Sequence, residues 1–361
     1  MKILCFIDSL GSGGAQRQLV NLAVSFISNG HDVEILTYHN ENFYIQEIEA
    51  SGIKYTTIPP CSYAKRIWRC RKHIRKGNFD AVLSFLETPS LIAELATIPY
   101  HNWVNVAGER SAAPRILKTF KGRMLRYIHL LSDYVVANSS CNLKLIKVAC
   151  PFLREKKLKV IYNQYDINGK LSPEIYINEE EDDNKFHLLV AASHQRLKNL
   201  ENLAIAIKLL PDKEREHIIV DWYGNKQTDF YNESLKIIKD LGVEKNFSLH
   251  EPTLEIYSKM SNADAIGLFS LYEGLPNTIC EAMCLAKPVI ATNVSDNSIL
   301  IRNEKLISDP TSPEDISKSL SYLLNLTKEE LNKIGNNNRI KAVELFSRDY
   351  ITNQYLGILK K

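Results

Sequence analysis

Residues Asp264–Val294 read DAIGLFSLYEGLPNTICEAMCLAKPVIATNV. The apolar start of this stretch predicts a strand over Ala265–Ser270, which a Gly/Pro loop then ends. A helix is predicted from about Asn277, and a second strand over Pro288–Thr292. A strand, a helix and a strand in this order predict a βαβ unit. Ligands of open α/β sheets bind at the carboxyl ends of strands, where a helix N-terminus suits an anion. The stretch therefore predicts an α/β fold with an anion site at this loop.

Two carboxylates stand beside this predicted anion site, Glu273 in the loop and Glu281 on the helix. Paired carboxylates can act as general acid and base, can bind a metal, or can accept hydrogen bonds from sugar hydroxyls. No Asp-x-Asp pair lies nearby to support a metal site. A carboxylate at a helix N-terminus is also stabilised by the helix dipole alone, by roughly 0.3–1 kcal/mol. The two residues by themselves leave these roles open.

The composition is that of a globular protein of more than one domain. A length of 361 residues is too great for one ordinary core, so two domains are expected. No apolar run reaches the roughly 18–20 residues of a membrane span. The first apolar run ends at Asp8, which predicts a first strand and not a signal peptide. Seven cysteines without a CxxC pair argue against a disulfide framework or a zinc site and fit a reducing cytosol.

Positive charge is concentrated in the first part of the chain. Residues 1–165 hold 22 Lys and Arg against 12 Asp and Glu, whereas the remainder holds 23 against 30. A basic segment predicts an anionic partner, such as a lipid surface, a nucleic acid or a phosphorylated substrate. No nucleic-acid recognition module accompanies the charge, so nucleic acid is disfavoured as a partner.

One basic cluster covers residues 65–76, and the other is Arg115–Leu131, where a single helix is predicted. On that helix apolar residues such as Phe120 and Met124 fall on one side, and basic residues fall opposite or beside them. A basic amphipathic helix is typical of binding to an anionic membrane surface, but it also fits a helix packed on its own core. The candidate membrane contacts are Lys118, Arg123 and Arg126.

The chain reads as two successive α/β series. Periodicity is lost over 168–185, which includes the acidic run Glu179–Asp183, and a new series starts near Phe186. A last helix is expected to cross back to the N-terminal domain. The expected boundaries are 1–166 for the N-terminal domain, 167–185 for a linker, 186–345 for the C-terminal domain and 346–361 for the last helix.

Two loops carry candidate phosphate-binding residues. The first strand, Lys2–Ile7, leads into GSGG at 11–14, which is not the GxGxxG of dinucleotide-binding folds. Gly13 and Gly14 either let the backbone approach a ligand or form a tight turn. Arg196 and Lys198 follow a predicted strand and precede a predicted helix, so they form either a diphosphate cradle or surface charge.

Together these landmarks resemble the family 4 retaining glycosyltransferases of GT-B fold. The resemblance rests on Glu273-x7-Glu281 within EGLPNTICEAM and on the KPVIATNV that follows. Four further stretches come in the family's order over nearly the whole chain: Gly13-Gly14-Ala15-Gln16, VIYNQYD, SHQRLKN and ADAIGLFS. The resemblance implies an α/β fold of two Rossmann-like domains that face each other across a cleft. The N-terminal domain would bind the acceptor, and the C-terminal domain would bind the nucleotide-sugar donor.

The resemblance also implies roles for individual residues. Glu281 would accept hydrogen bonds from the ribose hydroxyls, Glu273 would hold hydroxyls of the donor sugar, and Lys198 would bind the diphosphate. Glu273 and Lys198 are the candidate catalytic residues. The other donor-binding candidates are Gly13, Gly14, Arg196, Gly274, Leu275, Pro276 and Asn277. The loop around Leu249–Pro252 would recognise the base.

Two positions depart from the family's pattern. The family's diphosphate arginine usually lies five residues before the lysine, and that position is Ser193 here. Arg196 is a candidate replacement, in a different register. Where many relatives have a His near the donor sugar, this chain has Glu109 and Arg110. These two are candidate acceptor or sugar contacts, and a local salt bridge between them is the alternative.

The implied reaction is retaining transfer of a hexosyl or N-acetylhexosaminyl group from a UDP- or GDP-linked donor, without metal, cofactor or protein nucleophile. Lys198 and the helix dipole would stabilise the departing diphosphate. The basic N-terminal half adds an expected anionic membrane partner. The expected protein is cytoplasmic and peripheral on the inner face of the plasma membrane. Its acceptor would be a glycan on polyprenyl diphosphate or a lipid A core, in O-antigen, capsule or lipopolysaccharide biosynthesis.

Two other functions remain open at this point. A non-hydrolysing UDP-sugar 2-epimerase shares the GT-B architecture, although the EX7E context and the YNQYD turn favour transfer. A catalytically degenerate, membrane-associated assembly partner would explain the loss of the family arginine at Ser193.

Overall fold

A computed structural model of the protein describes residues 1–110, 115–176 and 184–360. The chain divides into two compact units. The first unit is Met1–Gln164 together with the C-terminal segment from Arg348, and the second is Tyr165–Ser347. Each unit contains one parallel β-sheet with α-helices packed against it.

The strands and helices alternate along most of the chain. The strands are β1 (Lys2–Phe6), β2 (Asp32–Thr37), β3 (Lys54–Thr57), β4 (Ala81–Phe85), β5 (Val104–Glu109), β6 (Tyr134–Ala137), β7 (Leu158–Val160), β8 (Phe186–Ala191), β9 (Ile218–Tyr223), β10 (Phe247–His250), β11 (Ala265–Leu268), β12 (Val289–Thr292) and β13 (Ile307–Ser308). The helices are α1 (Gly14–Ser28), α2 (Ile45–Ala50), α3 (Tyr63–Lys76), α4 (Glu87–Ala96), α5 (Arg115–Lys118), α6 (Phe120–Ile128), α7 (Ser140–Ala149), α8 (Leu200–Leu209), α9 (Asp212–His217), α10 (Asp229–Leu241), α11 (Ile256–Asn262), α12 (Asn277–Cys284), α13 (Asn297–Leu300), α14 (Pro313–Leu324), α15 (Lys328–Phe346) and α16 (Arg348–Leu359).

The sheet of the first unit has the strand order β3-β2-β1-β4-β5-β6-β7. Its strands are apolar runs because helices cover both faces, as is usual for parallel sheets. Side chains of β1 alternate between two cores, since successive strand residues point to opposite faces. Ile3 packs with Phe26 of α1 and Tyr355 of α16. Leu4 packs with Ile92 of α4 in the core on the other face. The C-terminal helix α16 is therefore part of the first unit's core.

The sheet of the second unit has the strand order β10-β9-β8-β11-β12-β13. The order reverses between β8 and β11, which are paired in parallel. All carboxyl ends of a parallel sheet lie along one edge, and ligands of such sheets bind where the order reverses. The strand–helix–strand prediction for 264–294 is confirmed by β11, α12 and β12, and α12 begins at Asn277 as expected.

The predicted single helix over Arg115–Leu131 is wrong, because α5, α6 and a short 3-10 turn replace it. Thr119 starts the new helix by accepting a hydrogen bond from the backbone N–H of Gly122. A Cβ at Gly122 would lie 2.6 Å from the carbonyl oxygen of Ile116. The backbone at the start of α6 therefore approaches that of α5 more closely than a residue with a side chain at position 122 would allow.

The prediction of Arg126 as a membrane contact is also wrong. Its side chain is 0% exposed and lies 2.8 Å from carboxylate oxygens of both Glu87 and Glu109. A buried carboxylate needs a counter-charge, and Arg126 supplies it to Glu109. Lys118 and Arg123 are exposed, as expected.

The start of the predicted linker 167–185 is not solvated, because Ile167 and Leu171 are buried. The whole acidic run, residues 179–183, lies outside the described residues. In the described ranges, no helix has both the length and the apolarity that crossing a bilayer requires.

Candidate functional site

The loops that follow β8 and β11 lie side by side at the carboxyl edge of the second sheet. The backbone N–H of Leu271 donates a 2.8 Å hydrogen bond to the carbonyl oxygen of Leu197, so the two loops are joined. The β8 loop carries Lys198, and the β11 loop carries Glu273. The sheet topology therefore brings together two residues that are 75 positions apart in the chain.

Asn199, which was not among the predicted site residues, fixes the β8 loop in place. Its backbone is left-handed, with a φ of 63°, which Asn adopts more readily than most residues. Its buried side-chain amide donates to the carbonyl oxygens of Phe269, at 2.9 Å, and Pro310, at 2.8 Å. An Asn directly before a predicted helix is the sequence signal for such a position.

Lys198 and Glu273 form an ion pair, with 2.5 Å between Nζ and Oε1. Their side chains are 20% and 15% exposed, so the attraction is screened less than at an open surface. The hydroxyl of Ser270 donates a further hydrogen bond of 2.8 Å to Glu273. The pair places one cation and one hydrogen-bond acceptor at the point where the strand order reverses.

The N-terminus of α12 completes this part of the edge. Pro276 precedes the helix, and the first turn carries no acidic side chain that would offset the positive end of the dipole. The hydroxyl of Ser295 donates to the carbonyl oxygen of Gly274, and the hydroxyl of Tyr165 donates to Oδ1 of Asn277 at 2.6 Å. These hydrogen bonds fix the loop 274–277, which was predicted to bind the donor. The loop leads into a helix N-terminus suited to an anion.

Glu281 lies on α12, one turn after its start, and is buried. The hydroxyl of Tyr257, on α11, is 3.3 Å from its Oε1 and donates to it. The carboxylate is therefore oriented by a neighbour that the sequence pattern did not indicate. Glu281 and Glu273 lie on the same helix-and-loop segment, as the sequence analysis expected.

The structure does not bring Arg196 to the Lys198–Glu273 pair. Its side chain is 75% exposed, and its guanidinium lies 2.9 Å from the carboxylate of Glu233 on α10. Beside Ser193, the ring of His194 is buried and stacks on Trp222 with 5.6 Å between ring centroids. Burial, followed by the charge of Lys226, lowers the pKa of His194.

The loop predicted to recognise a base begins with an aromatic pair. The rings of His250 and Tyr223 are stacked with 4.4 Å between centroids and 18° between planes. His250 Nε2 lies 3.1 Å from the carboxylate of Asp221. Both rings are at the carboxyl ends of neighbouring strands, β10 and β9.

Gly13 and Gly14 lie at the start of α1 in the first unit. Gly13 is the N-cap residue with extended backbone, and the first turn of α1 contains no acidic side chain. The side-chain amide of Gln16 donates to Asp8 at 3.0 Å and thereby ties the helix start to the end of β1. A Cβ at Gly13 would lie 2.2 Å from Oε1 of Gln16, so the Gln16 side chain occupies the space that a side chain at position 13 would need.

The alternative of a salt bridge between Glu109 and Arg110 is wrong, because each has other partners. Glu109 is buried and accepts hydrogen bonds from Arg126, at 2.8 Å, and from Nε2 of His129, at 3.0 Å. Burial raises the pKa of Glu109, but the hydrogen bond from His129 and the charge of Arg126 outweigh it, so the net pKa is lowered. Glu109 is therefore an ionised member of a core network.

Arg110 is engaged with the C-terminal helix. Its guanidinium donates to the hydroxyl of Tyr355 at 2.6 Å and to Oδ1 of Asn163 at 3.0 Å. It also lies 3.7 Å from the ring centroid of Phe85, a cation–π contact. The residue thus joins the end of β5 to α16 and to the strand beside it.

Comparisons with known proteins agree with this architecture. The family model described as Glycosyltransferase Family 4 matches residues 12–168, and the one described as Glycosyl transferases group 1 matches residues 173–341. The chain is 23% identical, over 99% of its length and 98% of the relative, to a Campylobacter jejuni α-1,4-N-acetyl-D-galactosaminyltransferase. That relative is named for an acceptor glycan on diphospho-undecaprenol, GalNAc-α-(1→4)-GalNAc-α-(1→3)-diNAcBac-PP-undecaprenol.

Solved structures show the same fold. A glycosyltransferase from Rickettsia africae superposes with a TM-score of 0.83 at 20% identity and covers 99% of this chain and 97% of its own. Anabaena HepE, in complex with UDP and glucose, superposes with a TM-score of 0.81 at 18% identity and covers 99% of both chains. Because the two family models together account for most of both units, and the fold agrees over the whole chain, the protein belongs to the family 4 glycosyltransferases of GT-B fold.

Proposed function

We propose that the protein is a retaining, metal-independent hexosyl- or N-acetylhexosaminyltransferase of bacterial surface-polysaccharide assembly, acting on a glycan linked to polyprenyl diphosphate. The observation that carries the proposal is the Lys198–Glu273 pair beside the N-terminus of α12, with Glu281 on the same helix. The donor is a UDP- or GDP-linked sugar. The Campylobacter relative, named for an undecaprenyl-diphosphate acceptor, and Anabaena HepE, solved with UDP and glucose, support these substrate classes.

The negative charge of the donor diphosphate is balanced by the Lys198 side chain and by the N-terminus of α12. Lys198 and the N–H groups at the start of α12 neutralise the negative charge that develops on the departing diphosphate. Glu273 accepts hydrogen bonds from hydroxyls of the donor sugar, and Glu281 accepts them from the ribose. Before the donor binds, Lys198 and Glu273 neutralise each other. Donor binding therefore replaces one close charge pair by two separate contacts.

The transfer step needs no base from the protein. The bond from C1 of the sugar to the diphosphate oxygen breaks, and a bond from C1 to the acceptor oxygen forms on the same face. The proton of the acceptor hydroxyl passes to the departing phosphate oxygen. The protein contributes positioning and electrostatic stabilisation of the leaving group.

Product stereochemistry tests this proposal. A screen of UDP- and GDP-sugars by thermal shift identifies the donor, and transfer to a synthetic polyprenyl-diphosphate glycan follows. NMR should show the same anomeric configuration in the product as in the donor, and EDTA should leave the rate unchanged. A product of the opposite anomeric configuration would contradict retention, and loss of activity in EDTA would contradict metal independence. Interconversion of the sugar nucleotide without acceptor would favour an epimerase.

The membrane partner is also a proposal, with a corrected contact surface. The exposed face of α6 carries Phe120, 81% exposed, together with Met124 and Tyr127. Lys118 and Arg123 flank this apolar stripe and are exposed. Apolar side chains bordered by cations are typical of surfaces that bind anionic lipid. The protein would then work at the cytoplasmic leaflet, where lipid-linked acceptors are reached.

Vesicle flotation tests this surface. The wild-type protein should float with vesicles of anionic phospholipid at low salt, and Lys118→Glu combined with Arg123→Glu should prevent it. The matched control reverses two exposed lysines on α10 of the second unit, Lys236→Glu with Lys239→Glu, and should float like the wild type. Equal loss in both double variants would refute a specific surface.

A further inference from the structure

The first unit contains a cavity beside the point where its own strand order reverses. Its volume is about 220 Å³, and its described lining residues are Glu87, Ile116, Thr119, Lys121, Gly122 and Leu125. The sheet order reverses between β1 and β4, and Glu87 begins α4 directly after β4. Ligands of open parallel sheets bind at such a position. The Lys198–Glu273 pair belongs to the other unit, and neither residue is among the described lining of this cavity.

Glu87 is held in a defined position from two sides. Leu86, between β4 and Glu87, has a φ of 76°, a backbone conformation that a leucine rarely adopts and that the surrounding structure must enforce. Behind Glu87, Nη1 of the fully buried Arg126 lies 2.8 Å from its Oε1. Nη2 of Arg126 binds Glu109, so the arginine is fixed in turn. The Glu87 side chain is nonetheless 45% exposed.

The lining has the chemistry of a sugar site. Glu87 offers an ionised hydrogen-bond acceptor, Lys121 offers a donor, and Ile116 and Leu125 offer an apolar surface. A sugar ring presents hydroxyl groups at its edge and apolar C–H groups on its faces, and it matches this mixture. The carboxylate of Glu87 disfavours an anion at the same place. The volume lies below the ~300–1,000 Å³ of sites for drug-sized ligands, which suits a single ring.

We propose that this cavity binds one sugar ring of the acceptor glycan, with Glu87 accepting hydrogen bonds from its hydroxyls. Arg126 is a positioning residue, which holds the Glu87 carboxylate at the cavity wall. This inference rests on the proposed transferase function, because it assigns the acceptor of that reaction to the first unit. Its chemistry is independent of the donor site, and so the two can fail separately.

Saturation-transfer NMR with simple sugars tests the proposal. The probes are the methyl α-glycosides of N-acetylgalactosamine, galactose, glucose and mannose, added to the full-length protein. Glu87→Gln keeps the shape and a hydrogen-bond acceptor for Arg126 but removes the charge. The control is Glu47→Gln, an exposed glutamate in the first turn of α2, which shares the helix-end setting but does not line this cavity. The affinities for UDP and for GDP are measured on all three proteins by calorimetry.

The expected result is binding of at least one glycoside to the wild type and to Glu47→Gln, with affinity about 10- to 100-fold lower in Glu87→Gln. UDP affinity should be the same in all three. Equal glycoside affinity in Glu87→Gln and wild type, or no saturation transfer from any glycoside, overturns the proposal. Displacement of the glycosides by inorganic phosphate would also overturn it, because the site would then be an anion site. Failure of the wild type to bind either UDP or GDP would instead count against the proposed transferase function.

Discussion

Arg126 and Arg123 lie three residues apart on α6, yet one is wholly buried between two carboxylates and the other is exposed. A helical periodicity places both on the polar side of a surface helix. It carries no information on Glu87, which is 39 residues earlier, or on Glu109 at the end of β5. Lys198 and Glu273 could be predicted because each lies in a short family motif. Asn199 and Ser270, in contrast, act through hydrogen bonds that only the folded chain reveals.

Substitution of the two arginines separates these environments. Arg126→Ala removes one of the two cationic partners of the buried Glu109, the other being His129, and deletes a wholly buried side chain, which should lower the free energy of unfolding by about 3–5 kcal/mol. Arg123→Ala removes an exposed charge and its exposed hydrogen bond to the carbonyl oxygen of Leu117, and should change it by about 1 kcal/mol or less. Urea unfolding at neutral pH measures both. Similar losses in the two variants would mean that the burial of Arg126 is not as described.

His129 should make the stability of the first unit dependent on alkaline pH. Burial lowers the pKa of His129, but the charges of Glu94 and Glu109 and the hydrogen bonds to them outweigh it and raise the pKa from 6.5 to about 10. A raised pKa stabilises the fold fully below the unfolded value of 6.5, and this contribution is lost as pH rises through about 10.

The free energy of unfolding should therefore fall between pH 7 and about pH 10 more steeply in the wild type than in His129→Gln. Urea titrations at several pH values measure the two slopes. Groups that do not contact His129 titrate equally in both proteins, so the difference between the slopes reports His129 together with its carboxylate partners. Parallel slopes would show that the histidine is not protonated in the folded state.

At the scale of elements, most segments could be predicted from local pattern, and the exceptions have long-range causes. The buried apolar strands and the start of α12 follow from sequence alone. The break between α5 and α6 depends on how closely Gly122 approaches Ile116. The basic cluster at 65–76 is partly structural, because Arg71 and Arg75 of α3 donate to carbonyl oxygens of Leu95 and Ala96, at the end of α4. Cations at a helix C-terminus are stabilising.

Two helical glycines should respond in opposite directions to the same substitution. A Cβ at Gly335, on α15, would lie 1.9 Å from the carbonyl oxygen of Ala286, so Gly335→Ala must push backbone apart. It should lower stability by about 1–3 kcal/mol. Gly357, on α16, has nothing within 4 Å of such a Cβ, and Gly357→Ala should raise stability by about 0.5–1 kcal/mol. Thermal unfolding of both variants checks this, and a stabilising Gly335→Ala would contradict the close approach.

At the scale of the molecule, each unit contains a parallel sheet whose strand order reverses once, and chemistry-bearing residues lie at both reversals. The succession of strands and helices made two α/β series predictable. The sequence could not indicate that Arg110 joins β5 to α16, because this contact links residues 245 positions apart. In the second unit, Lys198 and Glu273 could be predicted from two short motifs, whereas the exposed Arg196 is not brought to them. The cavity at Glu87 could not be predicted, since its lining comes from separate helices.

The affinities of three proteins for UDP, measured by isothermal titration calorimetry, test whether the nucleotide binds at the carboxyl edge of the second sheet. Glu281→Ala removes the buried carboxylate proposed to bind the ribose, and Arg196→Ala removes a guanidinium that is exposed and engaged with Glu233. We expect UDP affinity on the order of 10- to 100-fold below wild type for Glu281→Ala, and close to wild type for Arg196→Ala. Wild-type affinity in Glu281→Ala, or an equal loss in Arg196→Ala, would contradict the assignment of the nucleotide to this edge of the second sheet.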